Sequence, residues 1–206
     1  MAAVQTFYLP HYPTYPIHVC MFKDVSNAAH LRSQLLEANP EFDFAFLDAT
    51  MILSPNHLLS ASFLALHAHL TSRSKTRTPH SELVFRLHPN NNIGESYRKF
   101  GLSDSTTHIV AVKLSLSPSV TAEAVSRHLS QHIEGTSVEI GEGGEGMGMW
   151  ADREKISKIY KLDVTTDRSG KKGRKEKVVN GDVGREGDEV KEMEMVILGI
   201  MTTKGS

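Results

Sequence analysis

The 206-residue chain has 39% hydrophobic and 23% charged residues and a formal net charge of −1. That length suits one compact core rather than two comfortable domains. The near-zero charge excludes any global attraction to nucleic acid or to a membrane surface, so contact with a polyanion has to come from a local patch. With Cys20 as the single cysteine there is no intramolecular disulfide, which fits a reducing compartment. Cys20 lies in the apolar run PIHVCMF and reads as a small buried hydrophobe. No apolar run reaches membrane-spanning length, and MAAVQTFYLP lacks the layout of a signal peptide, so the expectation is a soluble intracellular protein with no membrane partner.

TFYLP and PIHVCMF are short β-rich runs broken by Pro10, Pro13 and Pro16, consistent with two strands or a strand and a lead-in. Ser26 then caps a helix through NAAHLRSQLLEA, with Ala28, Leu31 and Leu35 on one side and Asn39-Pro40 as its end. FDFAFLD puts Phe42, Phe44 and Phe46 on one face of a strand or lead-in. Ser54-Pro55 opens a second helix as N-cap and first-turn proline. That helix has a large apolar stripe, Leu59, Phe63, Leu66 and Leu70, and a smaller face of Leu58, Ala61, Ala65 and Ala68. Two apolar faces mean either a central helix or a side offered to a partner.

SELVFRL reads as a strand, NNIGESYRKF as a helix, THIVAVKL as a strand, and Thr121 to Ile133 as an amphipathic helix stopped at Gly135. GEGGEGMGMW (141–150) has the composition of a flexible linker. DREKISKIYKL returns to helical spacing. A polar segment, taken as 165–188, follows as a disordered insertion; the whole stretch 165–191 holds eight Lys/Arg, six Asp/Glu and four valines. Val190, Met193, Ile197 and Ile200 then mark a terminal helix that docks on the core. The architecture expected is α+β: a single domain over 1–206, a mixed β-sheet flanked by helices, and an insertion before the last helix.

The most informative stretch is KTRTPHSELVFRLHPNNNIGESYRKFG, residues 75–101. Asn92 and Glu95 have the spacing of a capping box, and Ile93, Tyr97 and Phe100 form an apolar stripe that turns Arg98 and Lys99 outward. Asn90 and Asn91 either brace a rigid turn or display amide groups to a ligand. Charge is concentrated here. Residues 70–101 hold six Lys/Arg (Arg73, Lys75, Arg77, Arg86, Arg98, Lys99) against two acids, whereas residues 1–69 hold two against five. Such a patch can hold phosphates while amides read unpaired base edges, although a charge run is more often a plain solvated face.

Enzymatic motifs are missing. His128 and His132 stand at i, i+4 without an HExxH context or an adjacent third ligand. No GxSxG elbow occurs, and GEGGEG lacks the Lys-Ser/Thr of a phosphate loop. The expectation is no catalytic residue, no metal and no cofactor. KKGRKEK at 171–177 reads either as a nuclear import signal or as a solvated linker.

KTRT at 75–78, SE at 81–82, HPNNNIGES at 88–96 and KFG at 99–101 resemble the signature of the small kinase-binding subunit of the EKC/KEOPS complex. FKDVSNAAHLR at 22–32, ILSPNHLLSA at 52–61, IEG at 133–135 and KISKIYKL at 155–162 extend the resemblance in the same order. The segments 141–150 and 165–191 depart from it. The resemblance implies a non-catalytic α+β protein that binds the complex's atypical kinase/ATPase subunit and, through it, the threonylcarbamoyl transferase subunit. It implies recruitment of the single-stranded CCA end of tRNA for N6-threonylcarbamoyladenosine formation at position 37 of tRNAs reading codons that begin with A. It further implies residence in nucleus and cytoplasm, with a link to chromosomes and telomere maintenance. By motif position and chemistry, Lys75, Arg77, Asn90, Asn91, Asn92, Arg98 and Lys99 are the expected tRNA contacts. Leu58, Ala61 and Ala65 are the expected kinase contacts, their small side chains allowing close approach. The alternative is a subunit that only braces the kinase, without touching tRNA.

Overall fold

The computed structural model describes residues 1–162 and 182–204. Strand β1 (Gln5–Leu9) and strand β2 (Tyr12–Lys23) form a hairpin with an irregular register between Phe7 and Leu9. Pairing of β2 with strand β4 (Ile109–Leu114) starts only at Ile17 opposite Leu114. Pro13 and Pro16 therefore sit outside that ladder and cost it no donor. Strand β3 (Ala45–Asp48) lies on the far side of β4, giving the order β1-β2-β4-β3, and β5 (Thr136–Val138) pairs with the end of β2. The α+β class holds. The sheet, expected to be mixed, is antiparallel at every pairing among the described residues.

Strand alternation feeds two cores, one on each side of the sheet. Ile17, Val19, Met21, Leu47, Val110 and Val112 face helices α2 (Pro55–Leu70), α3 (Pro79–Leu87), α6 (Arg153–Tyr160) and α7 (Asp182–Thr203). Cys20, Phe22, Phe42, Phe44, Phe46 and Ile109 face α1 (Ala28–Leu36) and α5 (Ala122–His132). The three phenylalanines of FDFAFLD thus share a face as the alternation predicts, the first within a 3-10 turn at Pro40–Phe42.

SELVFRL is not a strand. Thr78 Oγ1 accepts from the Ser81 N–H at 3.1 Å and Pro79 takes the first turn, so the segment starts as a capped helix. α3 is wedged between α2, α4 (Ile93–Phe100) and the sheet, and Pro79, His80 and every residue from Glu82 to Leu87 are buried. Leu83, Phe85 and Leu87 alternate as in a strand while Leu83, Val84 and Leu87 recur at helical spacing, so this short apolar run fits both periods.

The small face of α2 explains how α3 fits. Leu58, Ala61 and Ala65 are each 0% exposed within the core that also holds Leu83, Val84 and Leu87. The expected kinase contacts are therefore interior residues, and their small size admits a helix of the same chain. Ala65→Leu should overfill this contact and cost about 1–3 kcal/mol, read as a lower urea midpoint. A midpoint equal to that of the parent would mean that the helices separate freely.

At the start of α1, Ser26 does not cap: its hydroxyl donates to Glu134 Oε2 at 2.8 Å, while Asn27 ties this corner to the His132 carbonyl and the Glu134 N–H. The glycine stretch 141–150, a linker by composition, is a run of turns closed by Gly144 N–H to Gly141 O (3.1 Å), Gly146 N–H to Ile140 O (2.7 Å) and Met147 N–H to Gly144 O (2.8 Å). Met147 is buried in the core, and Gly148 (φ +91°) passes so close to Leu53 that a Cβ would stand 2.2 Å from its carbonyl oxygen. α7 begins at Asp182, so 182–188 is helical where an insertion was expected. The rest of that insertion, with KKGRKEK, lies outside the described residues.

Candidate nucleic-acid interface

α3 and α4 organise residues 75–101. In the loop before α3, the buried Glu82 carboxylate accepts from the N–H groups of Lys75 (2.8 Å) and Thr76 (2.9 Å) and from Thr76 Oγ1 (3.0 Å). Its other oxygen accepts from Arg86 Nε at 2.8 Å. One carboxylate thus fixes the backbone that presents Lys75 and Arg77, both exposed. Beyond α3, His88 Nδ1 accepts from the Asn90 N–H at 3.1 Å, so a histidine rather than an asparagine braces the turn.

Asn92 Oδ1 accepts from the Glu95 N–H at 3.0 Å, as a capping residue should. Glu95, however, pairs with Arg98 instead of reaching back, so only half of the capping box forms. Asn90 and Asn91 are exposed, and their side chains make no hydrogen bond to the described residues. Gly101 caps the end of α4, its N–H donating to the Tyr97 carbonyl, and a Cβ there would lie 2.6 Å from that oxygen.

All seven expected tRNA contacts are exposed, but they do not converge on one point. α3 has nine residues, about 13 Å at 1.5 Å per residue, and separates Lys75 and Arg77 at its start from Asn90, Asn91 and Asn92 after its end. α4 packs against α3, and Ser81 and Tyr97 line the same space between them and α1. Arg77 and Arg98 consequently line one cleft of about 840 Å³ between α1 with its following 3-10 turn and the α3–α4 pair. Lys75, Lys99 and the three asparagines stand outside its lining.

Three further contributors escaped the sequence reading. Arg32 of α1 adds a third guanidinium to the cleft, exposed and 3.0 Å from Asp104. Tyr97, assigned to the core stripe, is only partly buried and shows in the lining with Phe42 and Phe44. Asp43 supplies a carboxylate, whose Oδ2 accepts from His80 Nδ1 at 3.0 Å, while His80 Nε2 accepts from the Leu114 N–H at 3.0 Å. With Nε2 committed as acceptor, His80 is held as the neutral Nδ1–H tautomer. Burial lowers its pKa more than the Asp43 bond raises it. Burial pushes Asp43 up, but the His80 bond and the nearby Lys113 ammonium outweigh it and keep the carboxyl below its ordinary value. The lining therefore offers guanidinium groups for phosphates, one part-exposed ring, Tyr97, for stacking, and an ionised carboxylate that accepts hydrogen bonds, while Phe42 and Phe44 are buried in the floor.

On the other side of Phe44, His128 and His132 have ring centroids 4.5 Å apart and pack on Phe44 and Phe42. Among the described residues no group of three or more His, Cys, Asp or Glu stands close enough to hold a metal ion.

The family model of the kinase binding protein CGI-121 matches residues 22–205. A protein of Phaeosphaeria nodorum named EKC/KEOPS complex subunit CGI121 is 54% identical, covering 99% of this chain and 100% of its own length. Its namesake in Aspergillus fumigatus is 44% identical over 98% and 97%, and that of Schizosaccharomyces pombe 35% identical over 77% and 88%.

Proposed function

Because the chain belongs to the family of the kinase binding protein CGI-121, we propose that it is a non-catalytic subunit of an EKC/KEOPS complex that grips the atypical kinase with one surface and the single-stranded 3′ end of tRNA with another. Through the kinase it reaches the threonylcarbamoyl transferase subunit, and by delivering tRNA it promotes N6-threonylcarbamoyladenosine formation. Nuclear and cytoplasmic residence and a link to telomeres belong to the same reading. The observation that carries the RNA half is the cleft in which α1, α3 and α4 bring Arg32, Arg77 and Arg98 around Tyr97 and Phe42. A single-stranded end can lay its phosphates on the guanidinium groups and a base on the part-exposed Tyr97 ring. Cytosine and adenine both carry exocyclic amino groups, suitable donors to Asp43. Lys75, Lys99, Asn90, Asn91 and Asn92 extend this surface along α3 and α4.

For the kinase, Leu58, Ala61 and Ala65 being interior, the support moves to the outer face of α7, where Met195 and Val196 are 65% and 50% exposed while Ile197 and Met201 are buried. The rival reading, a brace that never touches tRNA, makes a different prediction. Arg77→Glu with Arg98→Glu should weaken tRNA binding by at least about tenfold and lower the salt dependence by roughly two phosphate contacts. Kinase pull-down should be unaffected. Equal tRNA affinity with kinase binding intact would favour the brace.

A further inference from the structure

Just past α7, Lys204 is 93% withdrawn from solvent, its exposure being 7%. A lysine is rarely so buried without partners. Its Nζ donates to the carbonyls of Phe85 and His88, at the end of α3, the latter at 2.7 Å, and stands 3.6 Å from the centre of the Phe85 ring. The Phe85 carbonyl also takes the His88 N–H at 3.3 Å, so the ammonium adds a second donor there and is the donor to the His88 carbonyl just past the helix. The Lys204 carbonyl in turn accepts from Arg86 Nη1 at 3.1 Å. Arg86 passes the connection to Glu82, and Glu82 to the Lys75 and Thr76 backbone. In the other direction His88, whose carbonyl Lys204 holds, accepts from the Asn90 N–H.

One residue thus reaches both ends of α3. Its ammonium fixes the turn that displays Asn90 and Asn91, and its carbonyl fixes the guanidinium that anchors the loop displaying Lys75 and Arg77. We infer that Lys204 is a positioning residue for the RNA-facing loops, fastening the end of α7 to α3 so that the Lys75–Arg77 loop and the Asn90–Asn92 turn keep one spacing. Lys204 does not touch the RNA. The assignment of RNA to these loops rests on the proposed function; the fastening itself does not. α7 is also the helix with the exposed Met195–Val196 face, so a protein seated there bears on the element whose end holds both loops.

The experiment uses the full chain with Lys204→Met, which keeps the unbranched stem and removes the ammonium. A second variant, Lys204→Arg, retains charge and donors. Amide hydrogen exchange is followed residue by residue, and binding of a fluorescent CCA-ended oligonucleotide is measured alongside. In Lys204→Met the residue loses the ammonium that holds it on α3, its carbonyl then leaves Arg86, and the amides of Lys75, Thr76 and Asn90 should exchange at least tenfold faster while the β2 and β4 amides do not change. Oligonucleotide affinity should fall at least threefold, and Lys204→Arg should recover part of both. Unchanged exchange at those three amides, or acceleration spread evenly over the sheet, would overturn the inference. Faster local exchange in a chain whose parent binds no oligonucleotide would uphold the fastening and remove the RNA reading instead.

Discussion

Glu82→Ala should cost about 3–5 kcal/mol, the range expected when one partner of a buried ion pair is removed and the other remains. Glu82 is 0% exposed and Arg86 8%, and the pair sits inside α3 at 2.8 Å. Alanine leaves the Arg86 guanidinium buried with, among the described residues, the Lys204 carbonyl as its hydrogen-bond acceptor, and strips the acceptor from the N–H groups of Lys75 and Thr76. Natural domains are stable by about 5–15 kcal/mol, so the loss is a large part of the whole. Urea denaturation followed by circular dichroism reads it as a lowered midpoint. Glu82→Leu combined with Arg86→Met should restore much of the stability, because removing both charges abolishes the unpaired one. The double variant should still leave the Lys75–Thr76 backbone without its acceptor, so its loop should exchange faster than that of the parent although its midpoint recovers. A cost under about 1 kcal/mol for Glu82→Ala would mean that water reaches Arg86 and that the carboxylate is not what shapes the loop.

Most of the fold could be read from local chemistry. Ser54-Pro55 announced α2, and Ser54 Oγ does accept from the His57 N–H at 3.1 Å. Thr121 and Asn92 cap their helices as their positions suggest. The phenylalanine alternation placed β3, and Ile197 marks the buried side of α7. What failed did so where a short apolar run fits more than one reading. SELVFRL carries apolar residues at both strand and helix spacing, and the alanines of α2 looked like an open docking face because the helix they receive was itself misread. The glycine run misled in another way. Its residues supply the close approach and positive φ of packed turns, which composition alone cannot tell from a linker.

The candidate site was half legible. Charge counting found Arg77 and Arg98, and capping found the Asn92 turn. The cleft itself gathers Arg32, Asp43, Arg77 and Arg98 from segments far apart in the chain, a proximity set by the packing of α1 and α3 around the sheet edge and by no local spacing. His88 and Glu82, the residues that shape the two loops, are buried polar groups. Their roles depend on which backbone N–H groups end up bare, and a sequence does not reveal that.

Acidification offers the last test, through His57. Its ring is 0% exposed; Nδ1 accepts from the Leu53 N–H at 3.2 Å and Nε2 faces the Tyr160 hydroxyl at 2.9 Å. Tyr160 donates its own proton to the Leu87 carbonyl, so Nε2 carries the imidazole hydrogen and Nδ1 is the acceptor. A second proton would have to sit on Nδ1, against a backbone N–H, in a fully buried site. Burial accordingly lowers the pKa from 6.5 to about 3. Because the folded value lies below the unfolded one, the unfolded chain takes up the proton first as the pH falls. The stability His57 contributes as a neutral residue is full above pH 6.5 and drains away between 6.5 and about 3. Between pH 7 and 5 this amounts to about 2 kcal/mol at roughly 1.4 kcal/mol per pH unit below 6.5. His80, also buried and lowered, acts in the same direction. His57→Gln should lower stability at pH 7, because a buried packing position changes, yet flatten the slope between pH 7 and 5 by about that 2 kcal/mol. Urea titrations at the two pH values, on parent and variant, measure it. Parallel slopes would show that the ring is charged or hydrated in the folded chain, and that the core between α2 and α6 is open to water.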